Sequence, residues 1–161
     1  MNAPDYIDEY SACSDTFSTL RVYHDSISPS DVTTRLGIRP TSQTVKGERR
    51  RKSSKVFANN GWFLESSKSV DSRDSRRHID WIVDQLCNRK EEIPKMLQEG
   101  FKIDISSFWV STSANGGPII SSYQMARLAD LQIEVWWDIY FSDDDSIRIE
   151  EAEHVVGGNG G

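Results

Sequence analysis

No apolar run in this 161-residue chain approaches the roughly 18 to 20 residues that a membrane-spanning helix requires. The first residues, Met1 to Asp5, turn acidic early and lack the basic start and apolar stretch of a secretory signal, so a cytoplasmic protein is the expectation. Cysteine is scarce. Cys13 and Cys87 are the only two, far apart and without the close spacing that metal sites use, so neither a structural disulfide nor a metal is expected. Cys87 ends an apolar helical pattern and reads as a small core residue. The three histidines, His24, His78 and His154, offer no ligand pair. His78 and Asp80, two apart on a helix, do not face each other, and His24 and Asp25 diverge across a strand. No serine lies in a nucleophile elbow, and Gly116-Gly117-Pro118 lacks the Gly-Lys-Ser/Thr of a phosphate loop. No catalytic residue, metal or cofactor is therefore assigned, and the reading leans away from an enzyme.

What is present is the composition of one folded domain. Hydrophobic residues make up 37% and charged residues 27% of a chain long enough for one sizeable core. The net charge of −6 is unevenly spread. Residues 1–45 carry 3 basic against 6 acidic side chains, residues 46–95 carry 13 against 8, and residues 96–161 carry 3 against 11. A basic middle between acidic flanks can orient a charged partner or pair internally. The polar start and the acidic, glycine-rich end divide the chain into a flexible leader, 1–14, a single domain, 15–142, and a flexible tail, 143–161.

Periodicity assigns the elements. An imperfect alternation from Phe17 to Tyr23 predicts a strand. Ser28-Pro29-Ser30-Asp31 is a helix start, with Val32 and Leu36 on the buried side and Gly37 as the stop. A polar stretch from Thr41 to Asn60 reads as a loop or extended edge, and Trp62, Leu64 and Ser66 give a second strand. Ile79, Ile82, Val83, Leu86 and Cys87 share one face of an amphipathic helix running to about Arg89. Pro94 and Gly100 bracket a short helix, and Ile103, Ile105 and Trp109 mark a third strand ending in the turn Asn115-Gly116-Gly117-Pro118. Ser121 and Gln124 form a capping box ahead of Met125, Leu128 and Ala129. In the last strand Ile133, Val135, Trp137, Ile139 and Phe141 alternate with polar or aromatic neighbours. The order β, α, β, α, α, β, α, β predicts an α+β fold. An antiparallel or mixed sheet of four to five strands carries helices mainly on one face, ferredoxin-like, with two related halves as one layout. The expected core is Leu20, Val22, Trp62, Leu64, Ile79, Ile82, Leu86, Ile103, Ile105, Ile133, Val135, Trp137 and Ile139.

Several segments in order resemble a bacterial family, the domain-of-unknown-function family 4279. They are Ile27-Ser-Pro29, Leu36-Gly37-Ile38-Arg39-Pro40-Thr41, Lys46-Gly47-Glu48, Gly61-Trp62, His78-Ile79, Gly117-Pro118 and Asp138-Ile139-Tyr140. The resemblance spans about Phe17 to Tyr140. It implies a small, self-standing bacterial α+β domain and brings no activity, substrate or catalytic residue with it.

Alternation leaves Arg21, Tyr23, Phe63, Glu65, Asp104, Phe108, Trp136, Asp138 and Tyr140 on the sheet face away from the helices. Exposed rings mixed with charges are the composition of an interface. The leading expectation is a non-enzymatic protein-binding module, in the manner of an immunity or defence accessory protein. Its surface would comprise Phe63, Phe108, Trp136, Asp138 and Tyr140 and would suit a basic partner, and a homodimer is compatible with it. The competing structural reading is that the 41–60 segment folds over these rings. A second expectation is a small-molecule or nucleotide pocket, with an enzymatic activity as one form of it, where Lys46, Glu48 and Arg49 meet Trp62. A third is nucleic-acid binding by the basic run 46–55, which the acidic pI of 5.1 and the absence of a nucleic-acid fold signature disfavour.

Overall fold

The computed structural model describes residues 2–113 and 116–141. Asn115 of the expected turn, His154, and the acidic and glycine-rich stretches of 143–161 lie outside them. Strand β1 (Cys13–His24) leads through helix α1 (Pro29–Leu36) to β2 (Ser42–Thr44) and β3 (Asn60–Glu65). Helices α2 (Ser75–Gln85) and α3 (Glu92–Gln98) precede β4 (Lys102–Ser111), and α4 (Ser122–Leu131) joins it to β5 (Glu134–Tyr140). The strands form one mixed sheet in the order β2-β3-β1-β4-β5. Every pair is antiparallel except β4 with β5, which are parallel because α4 carries the chain back to the same end. The α+β, mostly antiparallel fold expected from the sequence is present. A strand-helix-strand unit with parallel strands occurs twice: β4 and β5 are neighbours, whereas β1 and β2 are separated by β3.

Local chemistry explains the helix limits. Ser28 Oγ accepts from Asp31 N–H, Pro29 occupies the first turn, and Gly37 takes φ 67° while its N–H returns to the Thr33 carbonyl. Asp74 caps α2 by accepting from Arg76 N–H. The capping box of Ser121 and Gln124 is formed.

Helices cover one face of the sheet. Leu20, Val22, Trp62, Leu64, Ile103 and Ile105 from the strands pack with Ile79, Ile82 and Leu86 of α2 and its C-terminus, Ile93 and Met96 of α3, and Leu128 and Leu131 of α4. Three expectations are corrected. Met125 is 51% exposed and Gln124 fully buried, so α4 is rotated relative to the apolar pattern. The rotation is fixed by Gln124 Nε2 donating to Asp80 Oδ2 at 2.5 Å, a bond hydropathy does not reveal. Cys87 is exposed because α2 ends at Gln85 and the chain tightens into a 3-10 turn over Cys87–Arg89, whereas Cys13 is the buried cysteine. Ile139 is 39% exposed and Val135 and Trp137 only half-buried, because β5 is the edge of the sheet and the helices stop short of it. The leader makes hydrogen bonds to α2 and its cap. Ile7 N–H donates to Asp74 Oδ2 at 2.8 Å and Tyr6 Oη to Asp80 Oδ2 at 2.9 Å. Arg77 clasps Asp8 at 2.7 and 3.0 Å. Strand β1 itself starts at Cys13, ahead of the expected boundary at residue 15.

Candidate functional site

Strand register fixes what shares the uncovered face. Phe63 of β3 lies in a cross-strand row with Arg21 and Asp104, and Glu134 of β5 completes it. The next row is Glu65, Thr19, Ser106 and Trp136. Phe17, Phe108 and Asp138 make a third, and Val110 with Tyr140 lies beyond it. The period of two places all the expected face residues on this side, but it does not make them one surface.

Phe63 is not part of a binding surface with Trp136. Three strands away from β5, it is 1% exposed and meets Tyr23 edge-on at 5.4 Å between ring centroids. Gly61 makes room for it: a Cβ there would come within 2.6 Å of both the Phe63 ring and Thr44 Oγ1. Near this end the polar segment folds back on itself. Arg49 and Val56 form a bridge, Arg50 N–H donates to the Lys55 carbonyl, and the Arg50 guanidinium lies 5.4 Å from the Phe57 ring centroid. Burial pushes the Tyr23 phenol up, and the charges of Arg21 and Arg50 oppose that rise. The folded-back segment thus brings the Arg50 charge near Tyr23, at the Phe63 end of the face.

Phe108 is also buried, at 3%. It is the middle of a stack, with Phe17 at 4.8 Å on one side and Tyr140 at 5.5 Å on the other. Both neighbours are half-buried. Trp136 is 59% exposed, and its cross-strand neighbour Ser106 is too small to hide it. Arg21 Nε donates to Asp104 Oδ1 at 2.6 Å and also feels the charge of Asp138. Burial acts to lower the Arg21 pKa, but these carboxylates outweigh it and the pKa is raised. Arg21 and Lys102 stand against Glu65, Asp104, Glu134 and Asp138, which leaves this face acidic.

Sequence reasoning missed what adjoins the stack. Phe17 and Phe108 also line a cleft of about 550 Å³ whose walls carry Asp8, Glu9, Asp15, Glu65 and Asp71. Arg73 enters the same cleft and pairs with Glu9. These carboxylates come from the leader, β1, the end of β3 and the loop before α2, so no local motif announced them. Ordering of the leader by Asp74 and Arg77 was the missing premise.

The alternative pocket is not assembled. Trp62 is fully buried on the helix side and donates from Nε1 to Thr33 Oγ1 at 3.0 Å. Lys46 pairs with Asp25 at 2.5 Å, and Glu48 and Arg49 are exposed on the folded-back segment. Nothing converges on the indole because the sheet's alternation turns it away from them. The described histidines are structural. His78, 1% exposed, bonds the Ser72 carbonyl from Nε2 and the Ser66 hydroxyl through Nδ1, both at 2.8 Å. A carbonyl can only accept, so Nε2 carries the proton and Nδ1 accepts; burial holds the imidazole below its usual pKa. His24 Nδ1 accepts from Ser26 and Ile27 N–H groups and shapes the turn into α1. Burial pushes the Cys13 thiol up to about 11, away from nucleophilic use. Among the described residues no cluster of three or more His, Cys, Asp and Glu could hold a metal ion, and no helix is long and apolar enough to cross a membrane.

A family model described as Domain of unknown function (DUF4279) matches residues 13–142, which run from the first residue of β1 past the end of β5, and the chain belongs to that family. No curated protein and no solved structure matches the chain.

Proposed function

We propose that this DUF4279 domain is a non-enzymatic protein-binding module that takes a basic segment of a partner on the uncovered sheet face. One observation carries the reading: the stack of Phe17, Phe108 and Tyr140 opens directly into the carboxylate-lined cleft, with exposed Trp136 on the neighbouring strand. Aromatic faces and carboxylates both attract lysine and arginine, the former through the ring quadrupole and the latter by charge. The aliphatic stems of those side chains cover ring surface that would otherwise face water. Phe63 is withdrawn from the site, and Trp136, Tyr140, Asp138 and Phe108 are retained with Phe17 added. An immunity or accessory role in a bacterial cytoplasm is the setting in which such an acidic binder fits a basic protein.

The test is affinity capture of partners from a lysate of the source cells, comparing wild type, Trp136→Ala, Tyr140→Ala and Asp71→Lys. Met125→Ala on α4 is the control, and each variant is first shown by circular dichroism to be folded. Capture should fall in all three site variants, persist in the control and weaken as salt is raised. Unchanged recovery with both Trp136→Ala and Tyr140→Ala would remove the reading.

A further inference from the structure

The cleft beside the aromatic stack already contains a cation. Among the described residues that line it Arg73 alone is basic, against the carboxylates of Asp8, Glu9, Asp15, Glu65 and Asp71. Two different ties bring it there. The main chain is fixed by Arg73 N–H donating to the Asp8 carbonyl at 2.9 Å, and the next residue, Asp74, caps α2. The side chain is held by Glu9, which accepts from Arg73 Nη2 and is itself 90% exposed. So exposed an ion pair contributes little. The neighbouring Arg77 shows the stronger arrangement: it bonds Asp8 through Nε and Nη2, and its guanidinium lies 4.2 Å from the Tyr6 ring centroid. Arg73 is therefore anchored firmly through its backbone and loosely through its charge.

We propose that Arg73 occupies the place of the partner's first basic side chain and is displaced when the partner binds, which makes it the residue that sets how basic a segment must be to enter. The inference rests on the reading of this face as the site of a basic segment. A tethered side chain competes at an effective concentration on the order of millimolar, as groups joined by a short linker do. A lone lysine or arginine entering the cleft exchanges one cation for another and gains little. A segment with several cations takes Glu9 and also reaches Glu65 and Asp71, which a single guanidinium cannot neutralise together with Glu9. Displacement breaks the bond to Glu9, and the freed guanidinium, 36% exposed at the start, passes into water. The backbone bond from Arg73 to Asp8 survives the exchange, so the side chain returns when the partner leaves. Arg77 does not compete in this way, because its charge is engaged by Asp8 and its face by Tyr6.

The probe is a fluorescein-labelled tetra-arginine peptide, titrated into the full chain by anisotropy at about 0.1 M salt, where charges more than about 10 Å apart are largely screened. Each variant is first shown by circular dichroism to be folded. Removing the competitor in Arg73→Ala should tighten binding about two- to fivefold, the factor to which an exposed ion pair corresponds. Arg73→Lys keeps a tethered cation and should bind as wild type does. Arg39→Ala makes the same change in net charge outside the cleft lining and should leave the affinity unchanged. A double-mutant cycle with Glu9→Gln separates exchange from a general effect of charge. If Glu9 passes from Arg73 to the peptide, its loss changes the wild-type affinity little, because a bond disappears from both the free and the bound state. In the Arg73→Ala background the same change should weaken binding about two- to fivefold. Equal effects of Glu9→Gln in the two backgrounds overturn the inference, as does unchanged or weaker binding by Arg73→Ala, and the basic-segment reading survives both results. Absence of saturable binding by wild type and Arg73→Ala alike overturns that reading and the inference with it.

Discussion

Replacing Phe63 by alanine separates the two roles that a ring on the uncovered face can have. The side chain is 1% exposed, held between Gly61, Thr44 and the edge-on ring of Tyr23. Truncating a buried phenylalanine removes its transfer free energy and leaves a cavity, together costing about 3–5 kcal/mol. Tyr23 is only half-buried and can tilt toward the vacated space, which favours the lower part of that range. In a chain of this size each kcal/mol moves the melting temperature by about 2–4 °C, so a drop of about 6–12 °C corresponds to a cost of about 3 kcal/mol. Trp136→Ala, starting from 59% exposure, should stay within about 0.5 kcal/mol of wild type. Urea titrations followed by far-ultraviolet circular dichroism provide the comparison without relying on tryptophan emission. If Phe63→Ala left stability unchanged while abolishing partner capture, the ring would be a contact surface and the account of a second small core would be wrong.

Gly61→Ala should destabilise by about 1–3 kcal/mol, because its Cβ must displace either the Phe63 ring or Thr44 Oγ1 from a packed slot; thermal melts read it directly. Asp74→Asn should cost about 3 kcal/mol by leaving the buried Arg76 guanidinium without its countercharge, and should raise hydrogen exchange at Ile7, whose N–H bonds the same carboxylate. Acid should weaken the fold in two steps. His78 has a lowered pKa in the folded chain, so its contribution is complete above the ordinary value of 6.5 and is lost progressively below it as the unfolded chain takes up the proton. For Asp74, burial acts upward, but the bonds from Arg76 and Ile7 outweigh it and lower the pKa, so its contribution is present above 3.8 and lost as pH falls through the folded value. His78→Gln should flatten only the first step in urea titrations repeated across pH.

Much of the fold was legible because it rests on local signals. The cap at Ser28, the left-handed stop at Gly37, the capping box of Ser121 and Gln124 and the period-two strands each state their own geometry. The misreadings share a different cause. Gln124 is buried because Asp80 accepts its amide from another helix, and the leader is held because Asp74, Asp80 and Arg77 lie beside it. Polar partners distant in sequence leave no periodicity. The stretch 41–60 can be read only as a loop or extended edge because its edge strand, Ser42–Thr44, has too few residues to show alternation.

The uncovered face shows the same limit at the level of function. Alternation correctly assigns Phe63, Phe108, Trp136 and Tyr140 to one side, since a one-residue slip would have reversed every one of them. It says nothing about which strands are neighbours. Only the order β2-β3-β1-β4-β5 removes Phe63 to the far end, makes Phe108 the centre of a stack and leaves Trp136 exposed on the last strand. The same order decides that Ile139, apolar and in phase with the core, meets too little helix to be buried. Residues of core character placed at an edge, rather than residues of unusual chemistry, are what this sequence leaves over.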